Sequence, residues 1–263
     1  MNVDYSPPKH AIQPLNMQHH KASKHRRQLG KFLAMITLLL TLVTASVGMG
    51  GTPNPTAVAS PQAQTDLVGP PGSGNFGTSV TVLENGNLVI TDPKYSSGGM
   101  DWIGAVYLYD GETGERISML TGSSVYDMIS SGGVFSLTNG NFVIFSPIWD
   151  YNAADAGAVT WCSGTTGCSG TVSPANSLVG PGFDWSGERQ VVTPLSNGNY
   201  VVVCTLCDVG GIIDAGAVTW ADGDTGVTGF PSAANSLVGS SAGDYVGASG
   251  VTPLPNGNYM VGT

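Results

Sequence analysis

The sequence predicts an all-β protein made of β-propeller-type blades of four antiparallel strands, with about three and a half repeats and an incomplete ring. Three features carry this expectation. Asn-Gly-Asn stands four times, at 85–87, 139–141, 197–199 and 256–258, each time with a Leu two positions ahead (Leu83, Leu137, Leu195, Leu254) and an apolar run behind. Asn-Gly between apolar runs is the strongest short-range hairpin signal, because a type I′ turn needs positive φ at both central residues. The four copies follow one another at nearly equal intervals along the chain, which marks a repeat architecture. Finally, the strand entering the hairpin carries Pro194 and Pro253, whereas the strand leaving it is apolar on both faces. Proline belongs at a sheet edge, and a doubly apolar strand has sheet on either side. An edge strand beside a sandwiched one is the inner half of a propeller blade.

Each unit is expected to hold four strands. The first runs into the hairpin (79–83, 133–137, 190–195, 250–254), and the second leaves it (88–91, 142–145, 200–203, 259–261). The third begins at Gly104-Ala105-Val106, Gly157-Ala158-Val159 or Gly216-Ala217-Val218 and ends in an aromatic residue, Tyr109, Trp161 or Trp220. A Gly-x-Thr-Gly turn follows (111–114, 164–167, 223–226), and after it a fourth strand at 116–120, 170–172 or 227–230. Asp110 and Asp222 precede two of these turns, where a carboxylate caps a tight backbone reversal. With Leu67-Val68-Gly69 and its later copies taken as unit starts, the repeats span 66–119, 120–177, 178–236 and a partial 237–263.

The segment ahead of Ser60 reads as an address. Positions 1–31 are polar and hold six of the nine basic residues. An apolar run from Phe32 to Val47 follows, then small residues with an Ala57-Val58-Ala59 site and a nearer Thr44-Ala45-Ser46. Basic, apolar, small is the order of a secretory signal. The rival is a signal anchor over 32–50 with the N-terminus in the cytoplasm, since the run touches the lower length limit for a span. The expectation for 32–59 is therefore a signal peptide or anchor, with a Pro-rich linker ending at 60–65. The body is expected outside the cell, secreted or at its surface.

Charge narrows the partners. From Ser60 onward, Lys94, Arg116 and Arg189 face 17 acids, a net of −14. Such a body repels phosphate backbones, so nucleic acid is not expected as a partner. All four His (His10, His19, His20, His25) lie in the basic segment ahead of Phe32, which excludes His-based triads and His-ligated metals from the exported body.

Asn75-Phe76-Gly77, followed by Thr91-Asp92-Pro93 and by Gly104 to Tyr109, resembles an FG-GAP repeat, the blade of the integrin α-chain type of propeller. The segments 234–239 and 214–220 are similar to a variant repeat of bacterial surface and haemagglutinin-like proteins. The resemblance covers 66–263 and implies a propeller that acts in binding or adhesion. Many such blades carry a calcium loop between the first two strands. Here that position holds the Asn-Gly-Asn hairpins, which lack alternating carboxylates, so no metal site is carried over.

Few constellations carry chemistry. Asp150, Asp155, Asp208 and Asp214 lie in the loops between second and third strands, and repetition gives them a structural or ligand-rim role. Trp149 joins them as a rim candidate, and Trp102, Trp161, Trp185 and Trp220 are alternative sugar platforms, with Trp161 and Trp220 weighed as inter-blade core. Asp222 and Asp224 are weak cation candidates with too few converging oxygens. Cys162 and Cys168 flank a turn and are expected as a disulfide; Cys204 and Cys207 form a C-x-x-C that is a disulfide, a redox pair or half a zinc site. No P-loop, glycosylation sequon or Arg-Gly-Asp is present, and no cofactor is implied. The expectation is a non-enzymatic protein that binds an extracellular protein or glycan. The alternatives are a structural spacer and an enzyme-associated, quinoprotein-like propeller. Three and a half blades leave a strand edge open, so a fragment or a partner chain completing the propeller is expected, against a four-bladed ring closed by the N-terminal segment.

Overall fold

The computed structural model describes residues 64–180, Trp185 and 191–262. The basic segment 1–31, the 32–59 signal or anchor, most of the 60–65 linker and all four His fall outside the described residues.

The described chain is all-β, in four sheets, none of them closed into a barrel. Sheet 1 holds β1 (Val80–Val82), β2 (Leu88–Asp92), β3 (Ala105–Tyr109) and β4 (Arg116–Thr121) in that order. Sheet 2 holds β5 (Gly133–Ser136), β6 (Phe142–Ser146), β7 (Ala158–Cys162) and β9 (Ser177–Val179), and β8 (Gly170–Thr171) leaves it to join sheet 1. Sheet 3 holds β10 (Val192–Pro194), β11 (Tyr200–Cys204), β12 (Ala217–Ala221) and β13 (Ser236–Val238). The last sheet is the pair β14 (Val251–Pro253) and β15 (Tyr259–Val261). Within each sheet neighbouring strands are antiparallel, apart from the parallel β4–β8 pair. These are blade-like sheets compatible with an incomplete propeller.

Pro194 and Pro253 lie on edge strands, as their missing N–H requires. The second strands β6 and β11 are buried along their whole length. The core accordingly lies between consecutive sheets. One cluster joins sheets 1 and 2 around Leu108, Leu120, Ile129, Phe142, Ile144 and Trp149. A second joins sheets 2 and 3 around Phe145, Leu178, Trp185, Tyr200 and Val202, and a third joins sheet 3 to the β14–β15 pair through Val203, Val218 and Val251.

Two expectations are corrected. The fourth strands of sheets 2 and 3 are β9 and β13, not 170–172 and 227–230. The Leu-Val pairs at 178–179 and 237–238 therefore close one sheet rather than open the next. The segments expected as fourth strands instead cross to the preceding sheet: Gly170 and Thr171 pair in parallel with Leu120 and Thr121, and Gly229 bridges Leu178. Burial is the reason, since these short Gly-rich segments cover the apolar Leu of the sheet before them; Leu120 and Leu178 are 1% and 0% exposed.

The hairpins are also not type I′. In each, the N–H of the Gly reaches back to the Leu carbonyl, as in Gly86 to Leu83 at 2.9 Å, and only the Gly has positive φ (82–90° in the four copies). This is a type I turn closed by a left-handed Gly, a three-residue loop. The first Asn stays right-handed because its Oδ1 accepts the N–H of the second Asn, for instance Asn85 from Asn87 at 3.1 Å.

Candidate functional site

The strand order gives every sheet two ends. Asn-Gly-Asn hairpins and Thr-Gly turns share one end. The loops between second and third strands share the other with the segments linking one sheet to the next.

At the second end the three β2–β3-type loops have one plan. In sheet 2 the Asp150 carboxylate accepts the Asp155 N–H at 2.8 Å, and in sheet 3 Asp208 accepts the Asp214 N–H at 2.7 Å. In sheet 1 the Ser96 hydroxyl does the same for Trp102 at 3.0 Å. The receiving residue is left-handed each time: Asp155 at φ 51°, Asp214 at φ 50°, Trp102 at φ 54°. Thus the four rim Asp residues pair within their own loops, the carboxylate of Asp150 or Asp208 accepting the backbone N–H of Asp155 or Asp214. Asp150 also lines a cavity of about 320 Å³ with Ser124, Tyr151 and Asn152. Trp149 is not on the rim. Its ring is buried between sheets 1 and 2, stacked on Tyr151 with centroids 5.6 Å apart.

The linking segments lie against these loops. The N–H of Tyr126 donates to the Asp101 carbonyl at 2.9 Å and that of Met128 to Trp102 at 2.9 Å. The same pattern joins Gly243 to Ile213 and Tyr245 to Asp214. Asp127 anchors the first segment: its carboxylate is fully buried and accepts N–H groups from Ser123 and Ser124 at 2.6 and 2.7 Å and from Asp150 at 3.1 Å. Burial pushes the Asp127 carboxyl above its ordinary range, against the pull of those three donors. The exposed counterpart Asp244, held by the N–H groups of Ser240 and Ser241, lies below it.

This alignment isolates an unusual pair. Tyr126 (φ 69°) occupies the place of Gly243, and Trp102 occupies that of Asp155 and Asp214. Gly and Asp tolerate left-handed backbone, whereas a bulky aromatic residue there is an outlier. Yet the two rings meet edge to face at 5.5 Å, 40% and 56% exposed, with the Lys94 ammonium 4.6 Å from the Trp102 ring centre. They form an aromatic shelf with a cation on it, and Tyr126 follows closely on Ser124 of the Asp150 cavity. The sequence shows Trp102 as one of several platforms. Tyr126 and Lys94 escape notice there, although setting Tyr126 against Gly243 in register gives the signal.

Both cysteine pairs are disulfides: Cys162–Cys168 closes the second Thr-Gly turn, with Cα atoms 5.2 Å apart, and Cys204–Cys207 the start of the third loop, at 5.4 Å. The Asp222 carboxylate accepts the N–H groups of Asp224 and Thr225 at 2.8 and 3.1 Å. That of Asp224 accepts the Asn139 amide at 2.9 Å. No group of three or more His, Cys, Asp or Glu side chains gathers among the described residues.

Fold and site together define a β-sheet repeat protein whose consecutive sheets share their cores. The chain belongs to the family of a repeat of unknown function (DUF5650), whose profile matches residues 82–131, 136–184 and 194–248, more than half of its length. No curated protein matches the chain.

Proposed function

We propose that this chain is an exported, non-catalytic binding protein that seats a glycan or a protein surface on the Trp102–Tyr126 shelf. The carrying observation is backbone strain: two aromatic residues hold left-handed conformations that sister units give to Gly and Asp. Strained conformations persist where surrounding structure over-determines them, and they cluster at ligand sites. A flat exposed ring suits stacking against a pyranose or an apolar side chain, and the Asp150 cavity beside it offers acceptors for hydroxyl or amide groups.

Export is supported by the two disulfides, which persist in oxidising compartments, and by the basic-then-apolar order of the chain ahead of Ser60. Secretion or surface anchorage through 32–50 are both consistent with this. No helix among the described residues is long and apolar enough to cross a membrane. The resemblance of the first unit to an FG-GAP blade supports the same reading. There Phe76 packs on Tyr107 and Tyr109, and Asp92 accepts the Asn75 N–H at 2.7 Å. The hydrogen bonds that join sheet to sheet favour one second reading, a stiff structural spacer.

A glycan and matrix-protein array probed with the exported body distinguishes the two. Binding lost in Trp102→Ala and weakened in Asp150→Ala supports the shelf. Unchanged binding in Trp102→Ala overturns it, and an array without hits favours the spacer.

A further inference from the structure

At the hairpin end, each sheet holds the next by a repeated polar joint. Across the first boundary, the side-chain amides of Asn85 and Asn87 both donate to the Gly164 carbonyl at 2.9 Å. Across the second, those of Asn139 and Asn141 donate to the Gly223 carbonyl at 2.7 and 2.8 Å, and the Trp161 indole N–H joins them at 2.8 Å. Each accepting glycine opens a Thr-Gly turn.

At the third boundary the same donors recur without that acceptor. Asn197, Asn199 and Trp220 line a cavity of about 530 Å³ with Leu254, Gly257 and Tyr259. The Asn197 amide reaches only the Gly257 carbonyl, at 3.3 Å. Among the described residues no acceptor meets the Asn199 amide N–H or the Trp220 indole. Two more observations trace the footprint. β15 pairs on one side alone, where β2, β6 and β11 each have a further strand. Leu237, the counterpart of Leu120 and Leu178, is 55% exposed, and Trp220 is 44% exposed.

We infer that this face is a docking site for a strand–turn segment of a further repeat of this family. It takes a Gly-Ala-Val strand with an aromatic end, then an Asp-Gly-x-Thr-Gly turn, then a short Gly-containing stretch. The strand pairs antiparallel with β15 and completes its ladder. The first Gly of the turn offers its carbonyl to Asn197, Asn199 and Trp220, and the closing stretch covers Leu237 in parallel. Only Gly fits at the joint, because a Cβ on Gly111, Gly164 or Gly223 would overlap the carbonyl oxygen of Gly86, Gly140 or Gly198. In the docked segment Gly257 stands in the latter role. The inference is independent of the aromatic shelf, which lies at the other end of the sheets.

The test titrates a labelled peptide of residues 214–230 with the full chain, followed by fluorescence anisotropy. Saturable binding is expected, at least about tenfold weaker for the peptide carrying Gly223→Ala and for the chain carrying Asn199→Ala. The peptide variant keeps the test decisive should the chain variant fail to fold. Absence of saturable binding, or equal binding by the Gly223→Ala peptide, overturns the inference. So does self-association of the chain that blocks the peptide, which would give the face to a second copy.

Discussion

The side-chain amide of Asn141 donates to the Gly223 carbonyl at 2.8 Å, across the boundary between the second and third sheets. Its oxygen meanwhile accepts the N–H of Gly164, in its own sheet, at 3.0 Å. Asn199 repeats the inward half, accepting from Gly223 at 2.9 Å, and Asn87 repeats the outward half, donating to Gly164. A ladder of alternating asparagine and glycine amides thus runs through the hairpin end. The hairpin is a turn within its sheet and also the clamp on the next sheet.

Asn141 is the pivot of that ladder. Asn141→Ala leaves one N–H and one carbonyl without this partner, a loss of about 1–3 kcal/mol. Asn141→Asp keeps the acceptor but sets a carboxylate against the Gly223 carbonyl, so it should do no better. Both are expected to lower the Tm by about 2–4 °C for each kcal/mol lost, read by calorimetry.

Gly223→Ala should cost more than Gly111→Ala. Both place a Cβ into a carbonyl of the neighbouring hairpin, but Gly223 also receives three donors from the preceding sheet, so any shift breaks a joint. Overpacking of this kind costs about 1–3 kcal/mol, and denaturant midpoints of the two variants give the order. Equal midpoints would show that the inter-sheet joint adds nothing.

Tyr126→Gly separates function from stability. The position is left-handed and Gly serves in the sister segment, so relief of strain should offset the lost ring contact. The Tm is expected to hold or rise, while ligand binding at the shelf falls. A large drop in Tm would assign Tyr126 a structural role instead.

Asp127 and Asp244 should respond to pH in opposite directions. The folded-state pKa of Asp127 is raised, so its contribution is fully present below the unfolded carboxylate value, about 3.9, and is lost as pH rises through the folded value. The folded-state pKa of Asp244 is lowered, so its contribution is present above the unfolded value and is lost as pH falls through the folded one. Carboxyl carbon NMR titration should show Asp127 titrating after Asp244 as pH rises. The reverse order would refute the burial argument.

Repetition made the strands legible. Four Asn-Gly-Asn copies located each hairpin, two prolines marked edges, and the doubly apolar second strands announced sheets on both faces. These are local signals, because period and turn chemistry act over short stretches of chain. The fourth strand of sheet 1 stands where expected, whereas those of sheets 2 and 3 do not, because a short Gly-rich run and a Ser-Leu-Val run have equal local claim on the place. What separates them is that burying Leu178 takes a segment from the next unit. The Cys162–Cys168 disulfide could be expected from flanking a turn, whereas Cys204 and Cys207 stay open among a disulfide, a redox pair and half a zinc site until the fold joins them. The shelf needed two loops well separated in the chain to be set in register. Local sequence thus specifies the first strands of each unit and the places of the hairpins between them. Folding in three dimensions selects which segment closes each sheet, gives the asparagines their partners on the next sheet, and brings Trp102, Tyr126 and Lys94 together, because those outcomes depend on surfaces that exist only once neighbouring units pack.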